Sequence, residues 1–183
     1  MKEVLEKNNS LEIKQANISL ILDSYNEIFS DFDPRNYSQR ALSDDFLLEC
    51  KRAVREKNAG NFELRILIPK KIRVNKEEEV IKKRVKEYFK KHLEIESKNI
   101  LKIKKDGFRW FLIGTLIMVL DTLLVAYTTK NFFINFLIII LEPAGWFSFW
   151  EGLGKIFIHS KEKFPEYDFY KKMSTSKIYF VSY

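Results

Sequence analysis

Residues 108–128 and 132–150 are two apolar runs separated only by Thr129, Lys130 and Asn131. Each approaches the roughly 20 helical residues that cross a hydrocarbon core of about 30 Å. A three-residue connection joins antiparallel neighbours only. A transmembrane helical hairpin is therefore expected over residues 107–153, with helices at 108–128 and 132–152 whose backbone polar groups are satisfied internally. Both ends of the chain then lie on one side.

The flanks assign that side. Lys102, Lys104, Lys105 and Arg109 precede or open the first run, Lys155, Lys161 and Lys163 follow the second, and Lys130 alone lies between them. The positive-inside bias places both termini in the cytoplasm and makes the chain a multi-pass protein of an inner membrane. Trp110, Trp146 and Trp150 would then sit at one interface as an aromatic belt. The first 15 residues contain no apolar core of a signal peptide, so the first span is expected to direct insertion.

The remaining sequence is highly charged and reads as one small domain over residues 1–106, of α+β or α/β class with a βαβα-like order. Residues 11–15 and 17–22 favour strands, and residues 23–35 form a loop anchored by Tyr25, Ile28, Phe29 and Phe32, with one or two helical turns before Pro34. A helix is predicted over residues 43–58. Ser43 caps it, Asp44 and Asp45 occupy its first turn, and Phe46, Leu47, Cys50, Ala53 and Val54 form its stripe. Residues 62–69 alternate as a half-buried strand closed by Pro69. Asn75 caps a second helix running to about His92. Residues 93–105 fit either a helix on the membrane surface or a strand from Asn99 to Lys104, and Gly107 reads as a joint. Residues 154–183 form a cytosolic tail whose strand at 177–183 is positioned by topology to complete the sheet.

Charge divides this domain. Residues 1–64 hold 9 Lys and Arg against 12 Asp and Glu, whereas residues 65–105 hold 15 against 6. The basic half abuts the membrane, so Lys98, Lys102, Lys104, Lys105 and Arg109 are headgroup-proximal and membrane lipids are expected partners. The pI of about 9.3 is accompanied by no base-reading module, and nucleic acid is not expected. A single cysteine, Cys50, excludes an intrachain disulfide framework and a Cys-built zinc site.

Catalytic motifs are absent: the sequence contains no G-x-S-x-G, Walker loop, H-E-x-x-H or dinucleotide fingerprint. No catalytic residue and no cofactor is assigned. Asp31 and Asp33 are acidic enough to be a weak candidate for a hard divalent cation, although turn-stabilising and capping roles explain them more readily. Cys50 and His92 both fall on helical core stripes.

The apolar runs carry more information. Asp121 lies in the first and Glu142 in the second, about 12 and 18 Å inside the outer boundary at 1.5 Å per residue, and ionisable groups at such depth face protein or water. Gly114, Asp121 and Thr128 recur every seven residues, and Asn135, Glu142 and Gly145 are assigned to one face. These six define an expected polar intramembrane seam. Pro143 follows Glu142 and is expected to kink the second helix.

The strings DFDPR at 31–35, ALSDDFL at 41–47 and EPAGW at 142–146, followed by Trp150 and Glu151, resemble those of small prokaryotic membrane proteins with a cytosolic N-terminal domain and a C-terminal two-span hairpin. The resemblance implies topology and carries no activity. The leading expectation is a non-enzymatic membrane protein that self-associates, or docks a membrane protein partner, through the seam and the cytosolic domain. An oligomeric ion or proton pore is the first alternative and an enzyme acting at the headgroup surface the second. A cytosolic pocket gathering Asp31, Asp33 and Arg35 would favour catalysis.

Overall fold

The computed structural model describes residues 18–55, 63–126 and 131–183. The strand expected at 11–15, and Gly60, Phe62, Thr128, Thr129 and Lys130, lie outside them. The chain divides into two compact units, Met1–Leu93 with Asp168–Tyr183, and Glu94–Tyr167.

The first unit contains strand β1 (Ile18–Ile21), a 3-10 turn (Tyr25–Ile28), helix α1 (Asp44–Arg55) and strand β2 (Glu63–Ile68). Helix α2 (Asn75–Ala126) begins in it, and most of helix α4 (Phe164–Thr175) and all of strand β3 (Lys177–Ser182) close it. The sheet is wholly parallel in the order β1-β2-β3. Its register aligns Leu20 with Ile66 and Phe180, and Leu64 with Ile178. Alternation in β2 thus sends Leu64, Ile66 and Ile68 into one core. The stripes of three helices meet them: Phe46, Cys50 and Val54 from α1, Ile81, Val85 and Phe89 from α2, and Phe169, Tyr170 and Met173 from α4. His92 lies between the rings of Tyr88 and Tyr170, at centroid distances of 4.2 and 5.2 Å. The sequence between β2 and β3 contains the whole second unit, so β3 joins β2 only after the apolar helices have intervened.

A buried polar node fixes the 3-10 turn to the start of α2. The Tyr25 hydroxyl donates to Glu78 Oε1 at 3.0 Å and accepts from the Val74 N–H at 3.0 Å. Arg73 donates to both Glu78 oxygens at 2.8 and 2.9 Å. Glu78 is only 3% exposed, and the Arg73 guanidinium holds its carboxyl below the usual range. Burial is the main reason that the Tyr25 phenol is raised.

The expected architecture, a small α/β domain fused to a separate hairpin, is overturned. Helix accounts for 74% of the described chain, and among the described residues the sheet has three short strands. The dominant element is α2, a single 52-residue helix that starts as the expected soluble helix and ends in the first apolar run. The ambiguity over residues 93–105 resolves as helix within it. The physical reason lies in composition: from Asn75 to Ala126 there is no proline and there are two glycines, Gly107 and Gly114, and Lys, Glu and Leu carry good helix propensity across the supposed joint. Helix α3 (Phe132–Gly154) likewise passes unbroken through Pro143, capped by the Asn131 side chain, which accepts from the Phe133 N–H at 3.0 Å. A π-helical segment (Lys155–His159) and an α turn (Ser160–Glu162) follow it.

Two helical stretches, Asn75–Ala126 and Phe132–Glu162, are long and apolar enough to cross a membrane. Their apolar windows are only 6% and 11% buried, which is unlike the covered core helix of a soluble protein.

Candidate functional site

Within the second unit, α2 and α3 meet along glycines spaced by seven: Gly107 and Gly114 on α2, Gly145 and Gly152 on α3. A Cβ at Gly107 would fall 2.8 Å from the Gly152 carbonyl oxygen, and one at Gly145 would fall 2.8 Å from Met118 Cγ. Gly114 abuts the Phe149 backbone, and Gly152 abuts that of Phe111. Small residues permit this backbone approach, and dispersion replaces the hydrophobic drive that lipid would not supply. Buried Ser148 lies on the same stripe, and the Phe111 and Phe149 rings pack at 4.9 Å. Near the basic end of α3, Lys155 pairs with Glu151 at 3.1 Å and lies 5.0 Å from the centre of the Trp110 ring.

The structure divides the six expected seam residues. Gly114 and Gly145 are in the seam. Asp121 continues the α2 stripe through Gly107, Phe111, Gly114 and Met118, and its Oδ1 is buried with no hydrogen-bond partner among the described residues. Thr128 is outside the described residues. Asn135 and Glu142 are exposed on a flank of α3, so they do not share the buried face of Gly145. The offset follows from helix geometry: Gly145 is three residues from Glu142, about 60° around the axis, and that is enough to leave the contact. The glycine contacts also fix an antiparallel register in which Asp121 and Glu142 differ in depth by less than a turn.

The flank bearing Glu142 belongs to a broader polar side. Asn135, Glu142 and Phe149 recur every seven residues, and Phe149 lines a groove of about 350 Å³ with Thr115, Met118, Val119, Thr122 and Leu123 of α2. Thr115 and Thr122, themselves seven apart, therefore join Asn135 and Glu142 on one side of the hairpin. Each threonine hydroxyl donates to the carbonyl four residues earlier, Phe111 and Met118, at 2.8 Å, and retains acceptor capacity. Sequence reasoning missed both threonines; the signal was their heptad spacing, visible only once the seam is known.

In the first unit, the acidic candidates are not gathered. Asp33 is closed by Arg35, whose Nε and guanidinium NH2 donate to its two oxygens at 2.8 and 2.7 Å, and by the Ala41 N–H at 2.7 Å. These donors, Arg35 first, hold its carboxyl well below the usual carboxylate range. Asp31 instead lines a cleft of about 510 Å³ with Glu27, Asp45 and Glu49, whereas Arg35 lines another of about 580 Å³ with Arg40 and Lys76. Among the described residues, no group of three His, Cys, Asp or Glu is arranged to hold a metal ion. Cys50 is fully buried, and burial pushes its thiol up to about 12. The basic residues Lys98, Lys102, Lys104, Lys105 and Arg109 are all exposed on α2.

No family model, curated protein or solved structure matches the chain.

Proposed function

We propose that this is a two-span integral membrane protein, non-enzymatic, with both termini on the cytoplasmic side of an inner membrane, that self-associates through the side carrying Thr115, Thr122, Asn135 and Glu142. The observation that carries the reading is Glu142, exposed on a helix long and apolar enough to span. Such a group is costly against lipid and is normally met by protein or water. A second copy suits the chemistry. About a two-fold axis along the membrane normal each residue meets its own equal, and both a carboxamide and a protonated carboxyl group are self-complementary as donor and acceptor. In the first unit, Asp33 with Arg35 and Glu78 with Arg73 satisfy one another, which supports structural roles for them.

The test is the mass of the protein in lipid nanodiscs. Wild type is expected as a multimer, Glu142→Gln retains it, and Asn135→Leu with Glu142→Leu yields the single chain. Neither position contributes to the glycine seam, so the hairpin itself should persist. A strictly monomeric wild type overturns the proposal.

Asp121 supports a second reading, an oligomeric proton or cation path, because its Oδ1 is buried on the seam with no partner among the described residues. Two helices enclose no water-filled path, so conduction depends on the same assembly. Asp121→Asn would then keep the multimer mass and abolish proton flux into liposomes; unchanged flux removes this reading.

A further inference from the structure

We propose that the face of α2 carrying Lys98, Lys102, Lys105 and Arg109 is a binding site for anionic phospholipids. The inference rests on the hairpin lying in a membrane and is independent of self-association. Spacings of four, three and four residues place these cations on one stripe, and the stripe enters the apolar run without a break because α2 is continuous through Gly107. Gly107, buried in the seam, is two residues from both Lys105 and Arg109. That is about 200° around the axis, so the basic stripe faces away from α3.

The cations are available. Lys98, Lys102 and Lys105 have no ion-pair partner among the described residues, and Arg109 has one exposed pair with Asp106 at 3.2 Å. Lys82, Lys155 and Lys172, by contrast, are each paired with a carboxylate on their own helical stretch. The stripe occupies about 16 Å of helix leading up to and into the start of the apolar run. This covers the headgroup layer, and the screening length at physiological ionic strength is about 8 Å.

What distinguishes a phospholipid from free phosphate or nucleic acid is the continuation. With the same three-and-four spacing the stripe passes from Arg109 to Leu112 and Leu116, which are 44% and 68% exposed. Cations followed by exposed leucines match an anionic headgroup followed by acyl chains. The bound phosphate would accept from the Lys ammonium groups and the Arg109 guanidinium, while the leucines face the tails.

The test is native mass spectrometry of the full chain in detergent, titrated with short-chain phosphatidylglycerol or phosphatidylcholine. Wild type is expected to prefer phosphatidylglycerol, with each basic side chain contributing roughly fivefold. Lys102→Gln and Lys105→Gln alone should each show about that loss, and K98Q/K102Q/K105Q/R109Q should abolish the preference. K76Q/K83Q/K86Q/K90Q removes the same charge from exposed positions earlier in α2 and should retain it. Millimolar inorganic phosphate should not displace the lipid. Equal binding of the two lipids by wild type, an equal loss in the control variant, or displacement by phosphate would each overturn the proposal. Failure here leaves the nanodisc mass unaffected, so it is distinguishable from failure of self-association.

Discussion

Gly114 lies so close to α3 that a Cβ on it would come within 2.9 Å of the Gly145 carbonyl oxygen and closer still to the Phe149 backbone. Backbone cannot step aside as a flexible side chain can. Gly114→Ala is therefore expected to push the helices apart and destabilise the hairpin by about 1–3 kcal/mol, the range for overpacking. Gly154→Ala is the control, since among the described residues nothing lies within 4 Å of a Cβ there. Unfolding in mixed micelles titrated with denaturing detergent checks both, and equal behaviour would show that the seam tolerates a methyl group.

Topology is tested by a single thiol. Cys50 is buried with its thiol pushed up to about 12, so it should react slowly, and Cys50→Ser removes it altogether. In that background Lys130→Cys is expected to label with an impermeant thiol reagent in intact cells. Ser10→Cys and Ser182→Cys are expected to stay unlabelled until the cells are opened. The reverse pattern inverts the proposed orientation.

The Tyr25, Arg73 and Glu78 node predicts an acid limb in stability. The Glu78 carboxyl is lowered in the folded state, so its contribution is present above the unfolded value of about 4.3 and is lost as pH falls through the lower folded value. Glu78→Gln should cost about 1–3 kcal/mol at neutral pH, and the difference from wild type should shrink toward pH 3. Asp33 is lowered as well and titrates in both proteins, so it cancels in that difference. Denaturant unfolding of the two proteins between pH 3 and 7 measures it; a gap independent of pH would deny the ion pair its role.

Deleting residues 177–183 should unprotect β2. β3 pairs with β2 from Glu63 opposite Lys177 to Ile68 opposite Ser182, and its loss opens a sheet edge and removes Ile178 and Phe180 from the core. Faster hydrogen exchange across residues 63–68 is the expected readout. Phe180→Ala, which keeps the backbone ladder, should cost about 3–5 kcal/mol through packing alone.

Much of this molecule was fixed by local pattern. Two apolar runs three residues apart specify a pair of neighbouring helices. The stripe Phe46, Cys50 and Val54 specifies α1, and the alternation of residues 62–69 specifies β2, because period and burial are properties of a short segment. Three matters were decided by tertiary contact. Gly107 looks like a joint in isolation, yet it is a contact point for Gly152 inside one continuous helix, since a glycine that costs helix stability locally also admits a neighbouring backbone. Which flank of a helix is buried depends on where its partner lies, and a rotation of about 60° separates Gly145 in the seam from Glu142 outside it. The side shared by Thr115, Thr122, Asn135 and Glu142 exists only once the antiparallel register of two helices is set. That register comes from glycine packing along both helices at once, a property that neither run holds alone.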